Sequence, residues 1–113
     1  MYGHQIRIMT NIMYQVSVLI LNKKWEELYN TVEVDCTKEE IECEINDYPD
    51  ELCECEISDF FDGTSFEAID GYKTIAVADF WADGEESDLS MEFEFDFSGK
   101  ELKKVTLKGV HVY

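Results

Sequence analysis

Carboxylates aside, the residue types that most often do chemistry are sparse in this sequence. Its two histidines, His4 and His111, stand at opposite ends of the chain, and neither belongs to a recognisable motif. A nucleophilic triad needs a base beside its nucleophile, so no catalytic residue is assigned and no enzyme activity is expected. The four cysteines, Cys36, Cys43, Cys53 and Cys55, are separated by six, nine and one residues. Zinc asks for a C-x2-C pair or for histidines at ligand spacing, so no metal site is expected either. Neither a P-loop nor a dinucleotide fingerprint occurs, and Asp83-Gly84-Glu85 lacks the ligand offsets of an EF-hand, so no cofactor is implied. The apolar stretch from Ile6 to Leu21 carries Arg7, Thr10, Asn11, Gln15 and Ser17 and has no small-residue cleavage site after it. It reads as a buried helix rather than a signal peptide or a membrane span, and the expectation is reduced thiols in a cytoplasm.

Carboxylates are the abundant chemistry. Among 113 residues, 26 Asp and Glu face 9 Lys and Arg, a net charge of −17. That balance argues against direct binding to nucleic acid or to an anionic membrane. With 45% hydrophobic and 13% aromatic residues, the chain still has the apolar mass to fold as a single domain. The charge is concentrated: residues 33 to 96 hold 23 acids against Lys38 and Lys73, while both ends are mildly basic. Size scaling gives a folded surface of roughly 6,400 Å². If the acidic segment covers half of it, each carboxylate has ~140 Å², against ~110 Å² per phosphate on duplex DNA. A surface of that density can stand in for nucleic acid in a basic cleft. The plainer reading is that the carboxylates keep a small protein soluble, and their abundance removes any specificity from a search for acid/base pairs. Two groups are dense enough to favour the sharper reading: Asp83, Glu85, Glu86 and Asp88 in one turn, and Glu92, Glu94 and Asp96 in a row.

The elements that position these groups follow from periodicity. Ile6, Met9, Met13, Val16 and Ile20 recur at helical steps, widened by Ile12 and Leu19, which predicts a helix from Gln5 to Leu21. Asn22-Lys23-Lys24 ends it, and Trp25, Leu28 and Tyr29 predict a short second helical segment. Thr37-Lys38-Glu39-Glu40 reads as a capping box, so a further helix is predicted from Thr37 to Pro49 with Ile41, Ile45 and Tyr48 on its buried face. Cys53, Cys55 and Ile57 alternate with Glu54 and Glu56, which predicts a half-buried strand. Asp62-Gly63 and Asp70-Gly71 mark turns around a short segment from Phe66 to Ile69. Tyr72 to Trp81, Leu89 to Phe97 and a strand opening at Val105 and Leu107 predict an antiparallel meander. A register in which paired numbers sum to 198 sets Phe93 opposite Val105, Met91 opposite Leu107 and Glu94 opposite Lys104. The apolar positions switch from odd to even after Gly109, which predicts a β-bulge at or near that glycine.

The expected fold class is therefore α+β, with N-terminal helices packed on a curved, mainly antiparallel sheet that ends in a three-stranded meander. On element order it resembles the NTF2-like or cystatin-like cone. Trp81, Phe60 and Phe61 are candidates to line a small-ligand mouth in such a cone.

Several segments also resemble a family of small uncharacterised bacterial domains. They are Trp81 to Leu89 with Glu86-Ser87-Asp88-Leu89, the end Gly109-Val110-His111-Val112-Tyr113, the stretch Asn22 to Leu28, and Thr37 to Ile41. The family's G-x-S-D-L turn is altered here, because Glu85 stands in place of its glycine and Gly84 comes one residue early. The resemblance implies an NTF2-like α+β domain, with some relatives serving as immunity proteins beside polymorphic or contact-dependent toxins. In that setting Ser87, Asp88 and His111 are structural, with Asp88 satisfying turn amides and His111 bonding across the sheet.

Charge and resemblance together lead to one expectation. The chain is a cytoplasmic immunity protein that blocks a basic nuclease toxin domain through Asp83, Glu85, Glu86, Asp88, Glu92, Glu94 and Asp96. The other readings are a phage-encoded nucleic-acid mimic that inhibits a host defence complex, and a small-ligand-binding NTF2-like domain. The aromatic face from Phe93 to Phe97 suits either the core or a dimer interface, which leaves the oligomeric state open.

Overall fold

A computed structural model describes residues 3–112. Helices α1 (Gly3–Leu21) and α2 (Trp25–Thr31) come first, followed by a two-residue strand β1 (Glu33–Val34) and helix α3 (Lys38–Asp47). A second short strand β2 (Leu52–Cys53), helix α4 (Ile57–Asp62) and strand β3 (Ser65–Ala68) lead into the long strands β4 (Lys73–Ala82), β5 (Glu85–Ser98) and β6 (Glu101–Val112). One sheet holds all six strands in the order β1-β6-β5-β4-β2, with β3 also paired to β4. Every pairing is antiparallel except the parallel contact of β1 with β6, so this is an α+β domain on a curled, mixed sheet. Strand β5, with 14 residues, is the longest of the six and runs through the middle of the sheet.

The core is the interior of that curl. Leu89, Met91, Phe93, Phe95 and Phe97 alternate along β5 and are all buried, facing Ala76, Ala78 and Phe80 of β4 and Leu107 and Val110 of β6. Helix α1 closes the interior with Met9, Met13, Val16, Leu19 and Ile20, the stripe that the sequence periodicity picks out. The aromatic face of β5 is therefore core and not a dimer interface. The helix ends in a Schellman-type turn, in which Lys24 N–H donates to Leu19 O at 2.9 Å and Lys23 N–H to Ile20 O at 3.0 Å. Lys23 sits there at φ 56°, a left-handed conformation that normally falls to glycine. Helix α3 opens with the expected capping box: Glu40 N–H donates to Thr37 Oγ1 at 3.1 Å, and the Glu40 carboxylate accepts from Thr37 N–H at 3.4 Å.

Three expectations need correction. Pairing between β5 and β6 does not follow a constant sum of 198. The turn at Gly99-Lys100 has two residues, so Ser98 pairs with Glu101 and Phe97 with Leu102. In a two-residue turn the paired numbers sum to an odd value, which would aim Val105 and Leu107 outward. A bulge that inserts Lys103 restores the parity, so that Phe95 meets Val105, Phe93 meets Leu107, and Glu94 meets Thr106 rather than Lys104. A second bulge inserts Lys108 beside Gly109, as expected, and turns the register again so that Met91 meets Val110.

The strand predicted over Cys53 to Ile57 stops at Cys53. Tyr14 of α1 donates its hydroxyl to Cys55 O at 2.6 Å, which occupies the carbonyl that a strand partner would use. Helix α4 then starts at Ile57 and swings Phe60 into the core, edge-on to Tyr14 at 5.3 Å between ring centroids. The third correction concerns the aromatic mouth. Phe60 is core, Phe61 is on the outside of α4, and the space that Phe60 and Trp81 border measures about 10 Å³, room for no more than one water.

Two substitutions test these local devices by urea denaturation. Lys23→Gly should stabilise the domain by about 0.5–1 kcal/mol, because glycine adopts the left-handed turn without the Cβ penalty. Thr37→Ala should destabilise it by about 1 kcal/mol through loss of the cap.

Candidate functional site

The β4–β5 hairpin turns through Asp83-Gly84, whose φ values of 52° and 80° give the two left-handed positions of a type I′ turn. β2 runs alongside, with Asp83 N–H donating to Glu51 O at 2.9 Å and Leu52 and Cys53 paired to Ala82 and Trp81. The turn therefore gathers acids from distant parts of the chain: Asp83 and Glu85 at the tip, and Glu51 and Glu54 flanking β2, all exposed. Just inside the tip the pairing of β4 with β5 slips between Asp79 and Trp81. Ser87 closes the slip, donating its hydroxyl to Phe80 O at 2.6 Å and accepting from Leu89 N–H at 3.2 Å. The structural role expected of Ser87 thus has a specific form.

Asp88 is held differently from the expectation. It accepts a 2.6 Å hydrogen bond from the hydroxyl of Tyr48, which fixes the end of α3 to the hairpin and raises the phenol above its ordinary value. The turn amides are not its partners. His111 stands opposite Ser90, and its ring lies over Gly109, where a Cβ would come within 2.9 Å of the imidazole Cε1. Glycine at 109 therefore makes room for the ring. Tyr113 of the terminal motif lies outside the described residues.

The seven candidate carboxylates divide into two sets. Asp83, Glu85, Glu86 and Asp88 are exposed at the hairpin end, and among the described residues no lysine or arginine is within ion-pair distance of them. Glu92, Glu94 and Asp96 form the expected row on the outer face of β5, but each is half-buried. Lys73 pairs with Glu94, and Lys108 lies 3.7 Å from Glu94 and 2.6 Å from Asp35. These lysines hold the Glu94 carboxyl below its ordinary range, Lys73 foremost. Asp96 sits between Lys73 and Lys104 in the register, and its Oδ1 is buried without a hydrogen-bond partner.

The two ends of β5 therefore differ in charge. Lys100, Lys103 and Lys104 surround the β5–β6 turn, whereas the β4–β5 turn is uniformly acidic. Crowding at the acidic end shows in Glu86. It shares a hydrogen bond with Asp79, is partly desolvated and has Asp62 nearby, and each of these raises its pKa. Asp79 also accepts from the Ser90 hydroxyl. Gly63, at the end of α4, lies under the Glu86 carboxylate, and a Cβ there would come within 2.5 Å of Oε2. Sequence reasoning missed this seam between α4 and the hairpin, because only the Asp62-Gly63 pair hinted that the chain comes close to anything.

The four cysteines are free thiols, and burial pushes Cys55 up to about 11. Among the described residues no three His, Cys, Asp or Glu side chains converge to hold a metal ion. No helix among them is long and apolar enough to cross a membrane.

A family profile described as "Domain of unknown function (DUF7668)" matches residues 16–113. The chain belongs to this family. The match takes in α2 through β6 but only the C-terminal part of α1, from Val16 on, so the family's shared unit includes the sheet, the acidic hairpin and the seam with α4. No curated protein and no solved structure matches the chain.

The Glu86–Asp79 contact sets a pH dependence with a definite sign. A carboxyl whose folded pKa is raised stabilises the fold fully below its unfolded value, and that stabilisation is lost as pH rises through the folded value. Glu86→Gln should therefore make this DUF7668 domain more stable than the wild type at neutral pH, with the gain shrinking as pH falls through the raised folded value and gone below the ordinary glutamate value of 4.5. Glu85→Gln, which changes net charge equally at an exposed neighbour, should show a smaller gain. Thermal melts across pH 3 to 7 read the difference.

Proposed function

We propose that this DUF7668 domain is an inhibitory binding protein, an immunity protein that seats its acidic hairpin end in the basic cleft of a nuclease-type toxin domain. The observation that carries this reading is the set Asp83, Glu85, Glu86 and Asp88, exposed at one end of the molecule with no lysine beside them. Charge that the fold neutralises internally serves stability or solubility, as with Glu94 and its lysines. Charge left crowded and unpaired, to the point of raising Glu86, is available to a cationic partner. Glu51 and Glu54 extend the same surface. The row Glu92, Glu94 and Asp96 takes a secondary part in this reading, since its lysines already screen it.

A helix laid across a curled sheet is the layout of cystatin-like and NTF2-like cones, and on that basis we group the domain with them. Immunity function in a bacterial cytoplasm goes with that grouping, and nothing in the mechanism requires catalysis. Inhibition follows from occupancy alone: the exposed carboxylates compete with nucleic acid for the same cations, and the long-range field speeds encounter.

The reading is tested with the product of the adjacent gene and with lysate from the source cell, by tagged capture at low and high salt with mass spectrometry of the eluate. One basic nuclease-like protein, bound stoichiometrically and released by salt, is the expected result. Replacing Asp83, Glu85, Glu86 and Asp88 with lysine should then slow association about tenfold or more and weaken nuclease inhibition in parallel. An unchanged on-rate and affinity would remove this surface from the interface, and no basic partner at either salt would overturn the proposal.

A further inference from the structure

Helix α4 carries an apolar ridge on its outer side. Ile57 and Phe61 are one helical turn apart and remain 43% and 44% exposed, while Phe60 between them is core. Phe61 also forms one wall of a surface recess of about 270 Å³ against α1, lined by Ile6, Arg7, Thr10 and Asn11. Exposed apolar groups are common when scattered, but these two share one face of one helix, and the Phe61 end of that face opens onto a recess large enough for a side chain. Their surroundings are acidic. Glu54 and Glu56 precede the ridge, Asp59 and Asp62 belong to the same helix, and all four are exposed. The helix then ends at Gly63 directly under Glu86, so the C-terminal end of the ridge helix adjoins the acidic hairpin.

We infer that the Ile57–Phe61 ridge and its recess are the apolar anchor of the acidic surface, and that the partner presents a basic face bearing a protruding aliphatic or aromatic side chain. This rests on the reading that the acidic end binds a cationic protein, and it adds where the contact becomes short-ranged. Carboxylates on an exposed rim raise the rate of encounter and contribute little to the lifetime of the complex, because water screens them. Burial of an aromatic residue within a polar rim supplies that lifetime, the usual division of labour at protein interfaces. Charge complementarity selects the partner: the four acids of the ridge outnumber the one cation at the recess, Arg7, so together they disfavour an acidic or neutral apolar surface and favour one studded with lysine or arginine.

The test uses two synthetic peptides of equal length and charge, an amphipathic helix of lysine and leucine and a control in which every leucine is serine. Binding to the intact chain is followed by fluorescence anisotropy at moderate salt, with circular dichroism to confirm that each variant is folded. The wild type should bind the lysine–leucine peptide about tenfold or more tightly than the lysine–serine one. Ile57→Ser and Phe61→Ser should abolish that preference and leave lysine–serine binding unchanged. The combined charge reversals Asp83→Lys, Glu85→Lys, Glu86→Lys and Asp88→Lys should weaken binding of both peptides. A leucine preference that survives both ridge substitutions, or none in the wild type, would overturn the anchor while leaving the acidic surface intact. Lysine–serine binding that ignores the charge reversals would instead overturn the acidic reading on which the anchor rests.

Discussion

Strand β5 commits five alternating side chains, Leu89 to Phe97, to the interior, and the other elements are arranged to satisfy that burial. The strand is central in the sheet, and the sheet curls around its apolar face. Helix α1 fills the resulting trough. Both neighbours must keep their apolar side chains on the same face, and β6 does so only because bulges insert Lys103 and Lys108 at the points where its register would otherwise turn it inside out. The bulges also turn two lysines out of the ladder. Lys103 contributes to the basic end, and Lys108 reaches Asp35 and Glu94.

The opposite face of β5 inherits its character from the same alternation. Positions between the core residues must point outward, and Glu92, Glu94 and Asp96 fill them. Cross-strand lysines converge on Glu94 there, a partly buried arrangement in which the pairing offsets desolvation. At the hairpin end no such compensation is built. The Glu86–Asp79 contact has two carboxyls sharing a hydrogen bond, and Asp88 relies on a neutral phenol, so the fold tolerates repulsion at this end that it relieves at the other. Unrelieved repulsion costs stability, and a bound cationic surface would remove it.

Helix α4 connects this charge to an apolar contact. It is only six residues long, and its position follows from Phe60 entering the core against Tyr14. Once Phe60 is inside, helical geometry leaves Ile57 and Phe61 on the outer flank. The same geometry puts Gly63 under Glu86, where the absence of a side chain lets the helix end approach the hairpin closely. The exposed pair Ile57 and Phe61 and the carboxylate of Glu86 are thus brought to the same short helix.

Much of this was legible in the sequence, wherever the signal is local. The α1 stripe, the Thr37 capping box, the Asp83-Gly84 hairpin, the alternating face of β5 and the bulge beside Gly109 all rest on short-range geometry, in which a residue's neighbours decide its conformation. Concentration of the charge between residues 33 and 96 was equally plain. Sequence left undecided whatever depends on which distant residue supplies a partner. Cys55 had the alternation of a strand, but Tyr14, far away on α1, took its carbonyl and the chain turned into α4 instead. Asp88 looked like a turn-capping residue, and the end of α3 brought it Tyr48. Glu94 and Glu85 are both acids in acid-rich strands, yet only the register of β4 and β6 sets lysines beside one and none beside the other. Local conformation is decided by short-range sterics and hydrogen bonds that a sequence window contains, whereas neutralisation, burial and the apolar ridge arise from contacts across the sheet that exist only once the chain has closed on itself.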